Sequence, residues 1–182
     1  YKVDLGKPLI ILIQHPVTTE YEDNLGNINE TIEAVKLLDM PTIWVMPNMD
    51  AGANSINKAV RRFREADNPK NIHFFKSLPI EFYAPLLKNA ACILGNSSSG
   101  IRESAFLGTP TVNIGTRQNG RERGKNVVDV AYETAAIVSA VGSQIDCGSY
   151  EPDYLFGDGH AATKIVDVLS NCSISIQKTI TY

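Results

Sequence analysis

Six short runs of apolar and β-branched residues occur along the chain, and each is followed by a polar turn or loop. The first, residues 9–13, reads Leu-Ile-Ile-Leu-Ile and is apolar at every position. A continuous apolar run is typical of a strand that is covered on both faces in a parallel sheet. We therefore predict that this run lies in the middle of a sheet of six strands, at residues 9–13, 42–46, 72–75, 91–94, 111–114 and 127–130.

Helical spacing of apolar residues follows most of these strands. After the first strand a polar loop is expected up to Asn29. Pro79 suits the first turn of a helix, and Gly108 with Pro110 just beyond it marks the end of another. The predicted helices cover residues 30–38, 54–65, 80–88, 101–107, 133–141 and 161–169, and residues 173–182 are expected to fray.

The alternation of strands and helices predicts the fold class. Parallel strands joined by right-handed crossovers form an α/β fold, here a doubly wound parallel sheet of about six strands that is Rossmann-like. The default strand order is 3-2-1-4-5-6, in which a crevice opens between the loops after strands one and four. Those loops contain His15 and the segment Gly-Asn-Ser-Ser-Ser-Gly at residues 95–100.

Composition and charge limit the function classes. The 182 residues, 43% of them hydrophobic, are enough for one domain over residues 1–182. The chain has 17 basic and 20 acidic residues, and its net charge is −3. This balance gives no reason to expect nucleic acid or an anionic membrane as partner. Three cysteines without paired spacing predict no metal site and favour a reducing, cytoplasmic location.

The ends of the chain suggest a fragment. No apolar run is long enough to cross a bilayer and no leader is visible, so neither membrane insertion nor secretion is expected. The chain begins with Tyr1 rather than Met, and residues 1–7 read as a polar connector that enters a strand. We expect an earlier part of the protein to be missing from this chain.

Residues 95–100 predict a phosphate cradle between a strand and a helix. Glycine and serine leave room for an anion beside the unpaired backbone N–H groups at a helix start. Ser97 and Ser98 can donate their hydroxyls to a phosphate while Ser99 or Gly100 serves as the N-cap. The alternative is a tight, well-capped turn that binds no ligand.

Two further side chains follow strands at the predicted crevice. His15 comes directly after the first strand, and a protonated or hydrogen-bonding imidazole there would stabilise charge on a departing phosphate. Arg117 lies in the loop after the fifth strand. Its guanidinium can bind phosphate with two parallel bonds or fold back onto Glu122.

The nucleoside of such a ligand needs different partners. Glu103 would repel a nearby phosphate, so its better role is to accept hydrogen bonds from two ribose hydroxyls; a capping box with Gly100 is the alternative. Asn48 is a turn residue by default, and Leu78 would offer a backbone edge to a flat base. The chain has no GxGxxG motif, no P-loop lysine and no acidic metal pair, so no cofactor and no metal are expected.

Four motifs together resemble the carboxyl-terminal half of UDP-N-acetylglucosamine 2-epimerases. They are QHPVTT at residues 14–19, PNMDAG at 47–52, GNSSSGIRE at 95–103 and GTRQNGRE at 115–122. The motifs occur in the family's order, each at a strand end, and the resemblance covers about residues 9–164. The last motif is closer to the hydrolysing branch, which releases N-acetylmannosamine and UDP for sialic acid synthesis.

The resemblance implies a specific division of labour. The family has two Rossmann-like domains in the glycosyltransferase-B arrangement, and this chain looks like the second domain, which binds UDP. The acid and base carboxylates would lie in the missing first domain, and the full-length protein would be a cytoplasmic homo-oligomer. The positions that contact UDP or UDP-GlcNAc in the family are His15, Asn48, Leu78, Ser97, Ser98, Glu103 and Arg117.

Other functions fit the same residues. Within the family these are a non-hydrolysing epimerase, or an enzyme acting on a diacetylated amino sugar. Outside it they are a transferase of the glycosyltransferase-B type and a non-catalytic module that binds sugar nucleotides. These alternatives also place a nucleotide at residues 95–100, whereas an interaction domain that only shares the fold would bind none.

Overall fold

The structure is a computed structural model, and it describes residues 6–173. The predictions of a polar connector at the start of the chain and of a frayed end lie largely outside the described residues. Within them the strands are β1 (Ile10–Ile13), β2 (Thr42–Val45), β3 (Ile72–Phe75), β4 (Cys92–Gly95), β5 (Thr111–Ile114) and β6 (Val127–Val130).

All six strands are parallel and form one sheet in the order β3-β2-β1-β4-β5-β6. The predicted fold class and strand order are therefore confirmed. β1 is central, and its last residue, Ile13, lies opposite Val45 of β2 and Gly95 of β4. The crevice expected at the reversal of winding thus lies between the loops after β1 and β4.

The helices are α1 (Asn24–Leu38), α2 (Ala53–Asp67), α3 (Ile80–Asn89), α4 (Glu103–Leu107), α5 (Thr134–Cys147) and α6 (Ala161–Asn171). Every predicted helix exists, but several ends were wrong. The fourth helix is shorter than predicted, since α4 begins only at Glu103, after a separate 3-10 turn at Ser98–Gly100. The fifth is longer and continues to a glycine, Gly148, with positive φ.

The start of α1 is the largest difference from the prediction. The expected polar loop up to Asn29 is instead a 3-10 segment, Thr18–Asp23, followed by the first turns of α1. The buried side chain of Asn24 accepts a hydrogen bond from the Val17 N–H at 2.9 Å and donates one to the Val17 carbonyl at 3.1 Å. The Asn24 side chain thus satisfies the backbone groups of Val17, which a backbone partner would otherwise have to do. The polar segment that contains Asn24 can therefore fold against the end of β1.

Two apolar layers cover the sheet. Helices α1, α2 and α5 pack on one face, where Ile10 and Leu12 of β1 contribute to the larger buried cluster. On the other face Ile11 and Ile13 pack with Leu87 of α3. Alternate side chains of a strand point to opposite faces, so both alternating sets of apolar side chains in β1 are buried.

Within residues 6–173, no helix combines the length and apolar character needed to cross a bilayer. The same part of the chain contains no group of three or more His, Cys, Asp or Glu residues arranged to hold a metal ion.

Candidate functional site

The carboxyl ends of β1 and β4 approach each other closely. Gly95 has a φ of +124°, and a Cβ atom built there would overlap the carbonyl oxygen of Ile13. The next N–H, that of Asn96, donates to the same carbonyl at 3.0 Å. Only glycine tolerates this conformation and this contact, which brings the loops after the two strands together.

Asn96 is the residue on which three loops converge. It is fully buried, its Oδ1 accepts a hydrogen bond from the His15 N–H at 2.6 Å, and its Nδ2 donates to the His15 carbonyl at 2.9 Å. Its own carbonyl accepts bonds from Gln118 Nε2 at 2.7 Å and Arg117 Nη1 at 3.2 Å. Sequence reasoning placed Asn96 in the cradle but missed this role, since its partners lie 81 and about 20 positions away.

The imidazole of His15 is a hydrogen-bond acceptor on one side. Its Nδ1 accepts from the backbone N–H of Asn48 at 3.1 Å, so the two predicted residues do meet. Burial lowers the pKa of His15 from 6.5 to about 4, and the positive charge of Arg117 adds to this while Asp50 opposes it. His15 is therefore neutral at pH 7, and the protonated form considered from the sequence was wrong.

The cradle differs in detail from the prediction. Ser97, rather than Ser99 or Gly100, is the N-cap of the 3-10 turn, and its Oγ lies 3.1 Å from the Ser99 Oγ. The backbone N–H groups of Ser97 and Ser98 and the Ser98 hydroxyl have no partner among residues 6–173. Because α4 has only five residues, these free donors rather than a helix dipole make the turn suitable for an anion.

Glu103 does not form the capping box considered as its alternative role. The Gly100 N–H donates to the Ser97 carbonyl at 3.1 Å instead. The exposed Glu103 lines a cavity of about 770 Å³ between α3, α4 and the segment before α6, together with Tyr83 and Phe156. The cavity has mostly apolar walls, and the charged residues that line it are Arg102, Glu103, Asp153, Asp158 and Lys164. Apolar walls together with a carboxylate acceptor suit a flat base and a polyol.

Tyr83 is a site residue that sequence reasoning missed. Its phenol oxygen lies 2.6 Å from the Ser99 Oγ, while its ring lines the same cavity as Glu103. Burial raises the pKa of Tyr83, and the nearby charge of Glu103 raises it further. From the sequence, an aromatic residue at position 83 in an apolar helix pattern is predicted to pack in the core, and no neighbouring residue indicates a role in a site.

Arg117 lies in a second, polar cleft of about 480 Å³, beside Asp50 and Thr116. It bonds to the Asn96 carbonyl, and no ion pair joins it to Glu122 in the described part of the chain. Burial lowers the pKa of its guanidinium, and Asp50 opposes that shift. The half-buried guanidinium thus stays near His15 instead of folding back.

The structure brings most predicted site residues to one edge of the sheet. His15 and Asn48 share a hydrogen bond, and Arg117 bonds to the residue that precedes Ser97. Leu78, in the loop between β3 and α3, is half-buried and makes no hydrogen bond to the other candidates among residues 6–173. Its predicted contact with a base remains a prediction.

Comparisons with known proteins identify the family. The family model described as UDP-N-acetylglucosamine 2-epimerase matches residues 2–170. The chain is 32% identical over 170 residues to "UDP-N-acetylglucosamine 2-epimerase" of Neisseria meningitidis, covering 90% of this chain and 44% of the relative. It is 30% identical over 177 residues to "UDP-N,N'-diacetylbacillosamine 2-epimerase (hydrolyzing)" of Legionella pneumophila, covering 97% and 46%.

A solved structure shares the fold. The UDP-GlcNAc 2-epimerase of Methanocaldococcus jannaschii, crystallised with UDP-GlcNAc and UDP, superposes with a TM-score of 0.68 at 17% identity, covering 90% of this chain and 46% of that one. The chain spans about half the length of the curated relatives it matches. Since the family model covers nearly all of residues 6–173, the chain belongs to the UDP-N-acetylglucosamine 2-epimerase family.

Proposed function

We propose that this chain is the UDP-binding half of a UDP-N-acetylglucosamine 2-epimerase that hydrolyses UDP-GlcNAc to N-acetylmannosamine and UDP. The single observation that carries the proposal is the convergence of three loops on Asn96. It gathers His15, the free donors of Ser97 and Ser98, and Arg117 at the carboxyl edge of β1 and β4. This is where an α/β sheet of this order binds its ligand.

The pyrophosphate would lie against the 3-10 turn. The N–H groups of Ser97 and Ser98 and the Ser98 hydroxyl can donate to its oxygens, and Arg117 supplies a positive charge. When the bond between the sugar C1 and the phosphate oxygen breaks, the electron pair stays on that oxygen. Donors that are already in place stabilise this charge without reorganising.

The nucleoside would occupy the cavity beside Tyr83 and Glu103. The phenol ring offers a face for the uracil, and the Glu103 carboxylate can accept both ribose hydroxyls. The hydrogen bond between the Tyr83 and Ser99 hydroxyls couples this cavity to the turn that would hold the phosphates. Base and phosphate positions would therefore be fixed relative to each other.

The hydrolysing reaction is the finer part of the proposal. It rests on the loop at residues 115–122, which is closer to the hydrolysing branch. The relatives differ in the reaction that their names give: the name of the Legionella relative specifies hydrolysis, and the name of the Neisseria relative does not. We place the proton-transferring carboxylates in a preceding domain, within a cytoplasmic homo-oligomer. The isolated chain would then bind UDP weakly and turn nothing over.

A calorimetric titration of the chain with UDP tests the binding site. Saturable binding is expected in the millimolar range or below. In Ser98→Asp a carboxylate would replace a phosphate donor, so affinity should fall at least about tenfold. Ser139→Asp, which puts the same charge on the exposed face of α5, is the matched control and should bind like the parent chain.

The same protein tests the division of labour. After incubation with UDP-GlcNAc, no N-acetylmannosamine should be released by the chain alone. Measurable release would contradict the assignment of catalysis to another domain. Equal binding by Ser98→Asp and Ser139→Asp would contradict the assignment of the phosphate site.

A further inference from the structure

The two ring nitrogens of His15 have different environments. Nδ1 accepts the Asn48 N–H, and Nε2 has no hydrogen-bond partner among residues 6–173. A nitrogen that accepts a hydrogen bond carries the lone pair, so in the neutral ring the proton must be on Nε2. His15 is only 8% exposed, yet this donor is left without a protein acceptor.

The position of the ring is fixed through the backbone. Asn96 binds both the N–H and the carbonyl of His15, at 2.6 and 2.9 Å. An amide is needed for this pair, because one side of Asn96 must accept and the other must donate. These two bonds hold the His15 backbone in place, and its ring accepts the Asn48 N–H at 3.1 Å.

The charged groups around His15 oppose a second proton on the ring more than they favour it. Arg117 disfavours the imidazolium and Asp50 favours it, and burial adds to the effect of Arg117. Glu20, in the same cleft, is hydrogen-bonded to the Thr116 hydroxyl. The ring therefore meets its ligand as a neutral donor.

We infer that Asn48 and Asn96 are positioning residues for His15: the backbone N–H of Asn48 selects the neutral tautomer with its proton on Nε2, and Asn96 holds the His15 backbone so that this bond can form. The Nε2–H is then the group that His15 would offer to a phosphoryl oxygen. The inference rests on the proposed function. As the C1–O bond breaks, the electron pair stays on the phosphate oxygen and the proton stays on Nε2. UDP would then depart as an anion that is hydrogen-bonded by His15 but not protonated by it.

Long-range ¹H–¹⁵N spectra of the ring nitrogens test the tautomer directly. In the ligand-free chain between pH 6 and 8, His15 should show an unprotonated Nδ1 and a protonated Nε2, with the resonances assigned by their loss in His15→Gln. A proton on Nδ1, or on both nitrogens at pH 7, would overturn the inference. This measurement needs no nucleotide, so it is independent of the proposed function.

Two variants of Asn48 test its backbone donor. Proline lacks the N–H and alanine keeps it, so Asn48→Ala should retain the Nε2–H signature while Asn48→Pro should lose it. The same signature in both variants would contradict the role of this N–H. If Asn48→Pro does not fold, the spectra of the parent chain and of Asn48→Ala still decide between the tautomers.

Asn96 is tested against another buried asparagine. Asn96→Asp keeps the shape but cannot donate to the His15 carbonyl, so the His15 ring resonances and titration should change. Asn126 is also buried, and its Nδ2 bonds to Ser104 and Thr109 instead. Asn126→Asp should leave the His15 ring spectrum as in the parent chain. A general loss of packing would affect His15 equally in both variants and would refute the positioning role.

The contact with phosphate is tested with UDP-GlcNAc, whose phosphates do not titrate near neutral pH. Its affinity should vary less than about twofold between pH 8 and pH 5.5, because His15 gains no charge in this range. An increase of tenfold or more as the pH falls would mean that an imidazolium binds the ligand. If no binding occurs at any pH, the proposed function fails, while the nitrogen spectra still decide the tautomer.

Discussion

The phenol oxygen of Tyr83 lies 2.6 Å from the hydroxyl oxygen of Ser99, which in turn lies 3.1 Å from the hydroxyl oxygen of Ser97. This row of hydroxyls joins α3 to the 3-10 turn after β4. Since Tyr83 is half-buried and its pKa is raised, it remains a neutral partner at physiological pH. The orientation of the turn thus depends on a side chain from the wall of the neighbouring cavity.

Tyr83→Phe keeps the ring in the cavity and removes the bond to Ser99. We expect a loss of about 1 kcal/mol in the free energy of unfolding, together with a severalfold weaker affinity for UDP. Urea unfolding and calorimetric titration measure the two effects. Tyr154→Phe, at an exposed tyrosine that packs edge-on against Phe106, is the control and should change neither quantity.

Glu103→Gln tests the ribose contact. A charged acceptor for two hydroxyls is replaced by a neutral amide, so UDP affinity should fall about tenfold. Affinity for 2′,3′-dideoxy-UDP, which lacks both hydroxyls, should be the same in the parent chain and the variant. Equal losses for the two ligands would place Glu103 away from the ribose. Glu81→Gln, at an exposed carboxylate on α3, is the control.

Gly95→Ala tests the close approach of β1 and β4. The added Cβ would overlap the Ile13 carbonyl oxygen at a φ of +124°, so the free energy of unfolding should fall by about 3 kcal/mol or more. Gly26 in α1 has open space around its Cβ position, and Gly26→Ala should stabilise the chain by up to about 1 kcal/mol. Urea unfolding compares the two; a similar small effect at both sites would contradict the close approach.

His15 makes the stability depend on pH. Its pKa is about 4 in the fold against an ordinary 6.5, so below pH 6.5 the unfolded chain binds a proton that the folded chain does not. Stability from this group is complete above pH 6.5 and is lost as the pH falls toward 4, by about 2–3 kcal/mol. His15→Gln should flatten this part of the profile in urea unfolding.

The control for the pH profile is the exposed His160. The lowered carboxyl pKa values of Glu30 and Asp158 also cost stability as the pH falls, and they are common to all three proteins. The difference between the parent chain and His15→Gln therefore isolates His15. His160→Gln should keep the profile of the parent chain, and the same profile in His15→Gln would contradict the burial of its neutral ring.

Much of the fold was predictable because it depends on short-range patterns. The apolar residues of β1 are buried on both faces, so their run is continuous and marks a central strand. Glycine and serine at residues 95–100 also indicated the turn after β4. The start of α1 was not predictable in this way, because Asn24 sits in a polar stretch and is ordered by a backbone group seven positions earlier.

The sequence by itself determined the α/β class and the loops that carry His15, Ser97 and Arg117, since hydrophobic period and turn residues act over a few positions. The strand order was the default for this fold class, and the structure confirmed it. Only the tertiary structure decided which groups meet. It placed Asn96 on the backbone of His15, 81 positions away, and Tyr83 on Ser99. It also made His15 neutral, because burial and the charge of Arg117 exist only once the sheet has assembled.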